Sequence, residues 1–539
     1  MEREQQVGAG DPHAADVAAR IGEFVDPGAP WHRALWLASS VLSLRELLEH
    51  GEQLQAKAIQ GDQVGDAAKA ADARLKGDVG IGNQAITDAL AEILDRPSDL
   101  SKEDQRYRLA QLAEEARNGY LERWEAALSR PIGERPKPER ASRHLTSHLL
   151  DEGVSPKRIE MQVRGALESE LTSQSLCSAL KALLDEPSKK WRVIVPLLEL
   201  PLLFRKAGLT ASRQLVILRN RSALEQEHPH LWPVELKAGL VLVVKARDPW
   251  SAVSEARELL TRLQARLSVS TQPAVLQTHK FVTIDGLPDV FGLQPERQPA
   301  RVPALERSKK TLRIGGYAEA DAIDDALELL AGFSTGTPGA ALSSGWAALE
   351  ALLVSAGEKG VLAAERSADI LAAAWPRSEL TWLANAPFVE AATDVALHDA
   401  LRASGSGAVD RKVAALEAAL YDGRPVTYER PRDVAALHRI ENLLRDPHES
   451  LSQVRQGIVE AFRRLYVQRN LVMHAGSFRS VARPTTLRTV PALAAGVMDR
   501  LVHAAALGVK PLMLSARARV ELSLVEKGGT GRPLHQLLD

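Results

Sequence analysis

The chain has 539 residues, 45% hydrophobic and 25% charged, with 69 acidic side chains against 68 basic ones and a net charge of -1. That length exceeds a single ordinary core and implies roughly two to four domains. The balanced charge excludes a histone-like or coating role that depends on bulk attraction to nucleic acid, the 4% of aromatics disfavours a base-stacking platform, and the lone Cys177 rules out an intrachain disulfide and disfavours a cysteine-based zinc site.

The first twelve residues read as a frayed end, polar from Met1 to Gln6, with no apolar signal segment, so a cytoplasmic protein is expected. Trp31–His50 reads as a helix, with Leu35, Val41, Leu42 and Leu48 at helical spacing and Gly51 after it. From there to Gly82 the chain is rich in Gly, Ala, Asp, Lys and Gln, fitting a surface helix or a loop. Gly77-Asp-Val-Gly80-Ile-Gly82 lacks the Gly-Lys-Ser/Thr ending of a phosphate-binding loop and follows no strand, so a flexible turn is expected. Ala85–Leu94 and Leu109–Leu128 are helical and complete a helical N-terminal region, residues 1–130. Prolines 131, 136 and 138 then mark a linker that opens a helical connector, 131–190. His144 and His148 are four residues apart, a metal-site spacing, but lack further ligands and read as a solvated helix face.

At Trp191 the texture changes to β-branched runs: Trp191–Val195, Leu215–Leu218, Leu240–Val244, Lys280–Ile284 and Thr311–Ile314, with a helix at Ser251–Leu267. A small α+β domain over 191–318 is expected, one sheet with helices on one side. His228-Pro-His230 reads as a surface turn. Val193–Phe204, broken by Pro196, Glu199 and Pro201, is too short to span a bilayer. Helices return after 318, at Asp321–Leu330, around Trp346, and at Leu362–Trp375, Asp410–Leu420, Val434–Leu444, Ser450–Met473 and Ala492–Leu507. They predict a helical bundle over 319–520 followed by a loose tail, 521–539. The fold class expected is mainly α, with a central α+β insert.

The stretch richest in chemistry closes the Ser450–Met473 helix: Arg469-Asn470-Leu-Val-Met-His474, with Gly476 placed as a C-terminal cap. Ala461, Phe462, Leu465 and Val472 share the face of Ile458, and Arg469 lies on that face, where a guanidinium needs a partner, a crevice or an anion. Asn470 and His474 are neighbours on the helix, but ~140° separates Arg469 from His474. Their convergence therefore requires the helix to end or kink, or a second subunit.

This stretch resembles the signature of HEPN domains, helical modules of prokaryotic defence and toxin systems, many of them metal-independent ribonucleases. Gly345-Trp346-Ala-Ala-Leu349-Glu350 and Ala364-Glu-Arg366-Ser-Ala-Asp-Ile370-Leu371 look like the Apea-like branch of that family. The likeness spans roughly 320–520. The bare spacing of Arg and His is weak, since Arg143/His148 and Arg432/His438 also satisfy it, but neither has Asn after the Arg or the Trp346 helix upstream.

The resemblance implies an endoribonuclease that needs no metal or cofactor and acts in anti-phage defence or abortive infection on an RNA substrate. It also implies a composite site in a homodimer, and products ending in a 2′,3′-cyclic phosphate and a 5′-hydroxyl. An imidazole titrates near neutrality and suits His474 to acid or base work, Arg469 to clamping the phosphate, and Asn470 to orienting either. Glu350 falls within the apolar stripe of the Trp346 helix and is expected to be buried and paired with Arg469 or Arg366, either holding Arg469 in place or forming a structural ion pair. Residues 1–318 are assigned to sensing a trigger or restraining the nuclease. The rival reading is a non-catalytic HEPN module that dimerises, binds RNA or scaffolds partners, with His474 as a core histidine.

Overall fold

A computed structural model of the chain describes residues 11–168, 170–206, 214–227, 236–293, 300–307, 320–389, 394–405, 407–476, 479–526 and 533–538. The His228/His230 turn, the expected Thr311–Ile314 strand and most of the frayed start lie outside these residues. The fold is mainly α, as expected. Its compact units do not follow chain order: one gathers the described residues within 1–148, 163–177 and 298–539, the other those within 149–162 and 178–297.

The smaller unit contains five antiparallel strands, β1 (Lys189–Leu197), β2 (Leu215–Leu218), β3 (Ala238–Ala246), β4 (Phe281–Ile284) and β5 (Val290–Gly292), in the order β2-β3-β1-β4-β5. β1 and β3 pair from Lys189 with Ala246 to Leu197 with Ala238. Val193, Val195 and Leu197 pack with Leu240, Leu242 and Val244 under the helix Pro249–Ser268, while Ile194 and Val241 meet Leu218, Leu224 and Leu236 on the opposite face. Both faces of the central strands are therefore covered, and this is why their sequences read as continuous apolar runs instead of alternating. The sequence missed β5, only three residues long.

In the larger unit α1 (Pro12–Val25), α2 (Ser40–Gln55) and α3 (Gly61–Leu75) belong with the C-terminal helices. Trp36 shares one hydrophobic core with Trp346, Leu371, Phe462 and Leu493. A buried ion cluster reinforces it. Arg33 reaches Glu23 at 2.8 Å and Glu379 at 3.0 Å, and Arg20 reaches Glu23 at 2.6 Å and Glu139 at 2.8 Å.

Several expectations change here. The helix expected at Trp31–His50 starts only at Ser40, after a 3-10 turn at Trp31–Arg33. The expected Leu109–Leu128 helix is two, Glu103–Arg117 and Tyr120–Leu128, parted at Gly119. The sheet carries helices on both faces, not one. The turn at Gly77–Gly82 is not loose, because the buried Asp78 carboxylate accepts from Ser40 Oγ at 2.6 Å, Tyr120 Oη at 2.7 Å and Trp124 Nε1 at 3.0 Å. Burial works to raise the Asp78 pKa, but His144 and these donors outweigh it and hold the carboxyl well below its usual range. His144 and His148 are not on a solvated face. Both are buried, His144 against Asp78 at 3.2 Å and Trp124, His148 stacked on Tyr120 with ring centres 3.9 Å apart. Nor is the tail loose where it is described, since Pro511–Glu526 is a helix and Leu534 and Leu537 enter the core. Beneath them Glu417 accepts the Leu534 N–H at 2.7 Å.

Candidate functional site

The helix that carries the Arg-Asn-x-x-x-His stretch runs Pro447–Ala475. Asp446 caps its start by accepting the Glu449 N–H at 3.1 Å, with Pro447 in the first turn where no N–H is needed. Gly476 ends it in the left-handed region, φ 59°, with its N–H donating to the Leu471 carbonyl. Ile458, Ala461, Phe462 and Leu465 are buried in the main core.

At the C-terminal end the three candidate side chains come together within one chain. Arg469 Nη1 donates to Asn470 Oδ1 at 3.0 Å and lies 3.5 Å from His474 Nε2, the outer limit of a hydrogen bond. The angular separation of the Cα positions stands, but the guanidinium sits at the end of a long stem and reaches His474 in the last turn before the Gly476 cap. Because an arginine only donates, this contact favours the His474 tautomer with a lone pair on Nε2 and the proton on Nδ1. Asn470 is buried, Arg469 half-buried and His474 exposed. His474 is thus not a core histidine.

The flanking candidates are placed differently from one another. Trp346 is fully buried against Tyr466, ring centres 4.9 Å apart. Glu350 is only half-buried and forms no ion pair among the described residues; its Oε1 sits over Gly360, where an added Cβ would clash with it. The expected pairing of Glu350 with Arg366 does not occur, because Arg366 is taken by Glu358 in a two-pronged bond of 2.6 and 2.7 Å and also donates to the Leu353 carbonyl. That fork holds the Glu358 carboxyl low, at about 2.

Arg469, Asn470 and His474 line a cavity of about 630 Å³ whose other wall is made by α2 and α3. Seven basic side chains and four carboxylates line it, an excess of three positive charges. Two ion pairs join α2 and α3 to the motif helix: Arg464 with Glu46 at 3.0 Å, and Arg74 with Glu460, all four side chains buried. At the rim Arg463 reaches Glu365 at 2.9 Å and Asp66 at 3.7 Å. On the same helix Gln468 donates to Ser480 Oγ at 2.8 Å and Ser480 donates to Glu49 at 2.6 Å. Burial pushes the Glu49 carboxyl up, against the pull of these donors.

His50 also lines the cavity, fully buried, and neither ring nitrogen has a hydrogen-bond partner among the described residues. Burial lowers its pKa and keeps it neutral at physiological pH. No local pattern marks His50, Arg74 or Lys57 as lining residues, because they lie about 400 positions from the motif and only the tertiary fold joins them. No cluster of His, Cys, Asp and Glu suited to a metal ion is found among the described residues. The chain matches no family model, no curated protein and no solved structure.

Proposed function

We propose that the chain is a HEPN-type endoribonuclease that cleaves RNA without a metal, serves anti-phage defence, and is restrained at rest by its own N-terminal helices. The observation that carries this reading is the meeting of Arg469, Asn470 and His474 in a cavity with an excess of positive charge. In the proposed step His474 Nε2 takes the proton of a ribose 2′-hydroxyl. The freed oxygen attacks the adjacent phosphorus, the bond to the 5′-oxygen breaks, and that oxygen leaves as a 5′-hydroxyl with a proton taken from solvent water, His474 then returning its own proton to solvent. Arg469 balances the charge that builds on the equatorial oxygens, and Asn470 fixes the guanidinium.

Restraint is supported by the position of α2 and α3, which cover the motif face and are held there by the buried Arg74–Glu460 and Glu46–Arg464 pairs. A homodimer with two motif helices facing one cleft, the assembly implied by the resemblance, requires α2 and α3 to yield that face. Activation is then their displacement by a trigger. No single helix among the described residues is long and apolar enough to cross a membrane.

The decisive measurement is end-mapped sequencing of cellular RNA after expression of wild type, Arg469→Ala and His474→Ala, with and without phage challenge. New ends carrying 2′,3′-cyclic phosphate in wild type alone are expected. Equal profiles from three soluble proteins in both conditions would replace the nuclease with the scaffold reading.

A further inference from the structure

A second cavity of about 610 Å³ opens elsewhere in the larger unit, walled by the Pro27–His32 loop and by the helices Leu362–Leu383 and Arg483–Ala506. Its size is that of a small-molecule site, about 300–1,000 Å³. Four arginines line it against two aspartates. Arg377 is paired with Asp410 and Arg500 with Asp499, whereas Arg301 is exposed and has no carboxylate partner among the described residues. A site with this balance favours an anion.

Two further features specify more than charge. Trp31 lines the cavity half-buried, stacked on Trp36 with ring centres 6.5 Å apart, and the part of its indole left accessible gives the cavity aromatic surface. His32 lines it too, 6% exposed, with neither ring nitrogen hydrogen-bonded among the described residues. A buried imidazole left without partners costs free energy unless something in the cavity meets it. Held neutral by burial, it presents one donor and one acceptor. Aromatic surface, a polar contact with both hydrogen-bonding senses, and a cationic rim together match a planar heterocycle that carries phosphate.

We propose that this cavity binds a nucleoside phosphate, its ring packed against Trp31 and edged by His32, its phosphates held by Arg301 and Arg500. The site is separate from the Arg469 cavity and does not depend on the nuclease reading. Both helices that wall it pack against the motif helix, so occupancy bears directly on the element that carries Arg469 and His474.

The test is equilibrium titration of the full chain with fluorescent N-methylanthraniloyl-ATP, followed by competition with ATP, AMP and tripolyphosphate. Saturable binding is expected, displaced by ATP and at least tenfold less well by tripolyphosphate. The exposed change Arg301→Ala should weaken it tenfold or more, as should Trp31→Leu, with far-UV circular dichroism reporting the fold. Arg469→Ala should retain wild-type affinity for the probe. The proposal fails if no saturable binding occurs, if tripolyphosphate competes as well as ATP, or if the loss follows Arg469→Ala while Arg301→Ala has no effect.

Discussion

His474 can be changed without consequence for folding. It is exposed at the last turn of its helix and its hydrogen-bond contact among the described residues is with Arg469, so His474→Ala should alter stability by no more than about 0.5 kcal/mol while abolishing the proposed cleavage. A urea unfolding curve that shifts by several times this amount would mean the residue acts through structure. The opposite holds at Gly80, where an added Cβ would come within 2.5 Å of the Tyr120 ring and 2.7 Å of Trp124. Gly80→Ala should cost about 1–3 kcal/mol through displacement of the two rings that donate to Asp78. The same denaturation series measures it. His32 supplies a pH signature: its pKa is pushed down to about 4 from 6.5, chiefly by burial. The unfolded chain therefore binds a proton that the folded chain refuses between pH 6.5 and 4, and stability falls as pH falls through that window, by up to about 3 kcal/mol. His32→Phe should flatten the slope there, leaving what His50 contributes, and an unchanged slope would assign the effect elsewhere. At this scale the motif itself was legible, since Arg469, Asn470 and His474 are consecutive or one turn apart. The partner of Arg366 was not, because the competing Glu358 lies on a loop that no periodicity marks.

The pairing of α3 with the motif helix is a question of elements, and its ion pairs have two kinds of consequence. Arg74 and Glu460 are both buried, so Arg74→Ala alone leaves an uncompensated carboxylate and should cost about 3–5 kcal/mol, whereas Arg74→Met with Glu460→Leu should restore most of the loss. A double-mutant cycle by denaturant unfolding separates the two. Asp66, by contrast, is only half-buried at the rim, 3.7 Å from Arg463. Asp66→Lys sets two cations against each other there and should loosen α3 without unfolding the chain. On the proposed nuclease reading, RNA cleavage rises several-fold if α3 restrains the site and stays level or falls if α3 only forms a substrate wall. Helices of this length were readable from apolar spacing, and the motif helix was placed to within three residues at each end. α3 was left between surface helix and loop because its inward face is built from Val64, Ala68 and Ala71, small side chains that give a weak apolar stripe.

The chain-order division into a helical start, an α+β insert and a helical end reads composition correctly and says nothing of which pieces share a core. Compactness joins the described parts of 1–148 to those of 298–539, through a shared hydrophobic core and through long-range charge pairing that no local pattern encodes. Arg33, 1% exposed, is neutralised by Glu23 near it in sequence and by Glu379, some 346 positions away, and Arg439 reaches the same two carboxylates at 3.4 and 3.5 Å. Burial works to raise the Glu379 pKa, yet the surrounding arginines bring it down to about 2, the mark of a carboxylate that stays ionised inside the core. Such a cluster couples its elements, since removing one member leaves the others buried and unpaired. In the full chain, Glu379→Ala should therefore destabilise α1 as much as it destabilises the helix on which Glu379 itself lies. Hydrogen exchange across a urea series reads this directly. Amides of α1, α2 and the motif helix should lose protection together in the variant, at a lower urea concentration than in wild type, while those of β1 and β3 keep their own midpoint. Loss confined to Leu362–Leu383 would show that the N-terminal helices are held by apolar contact alone.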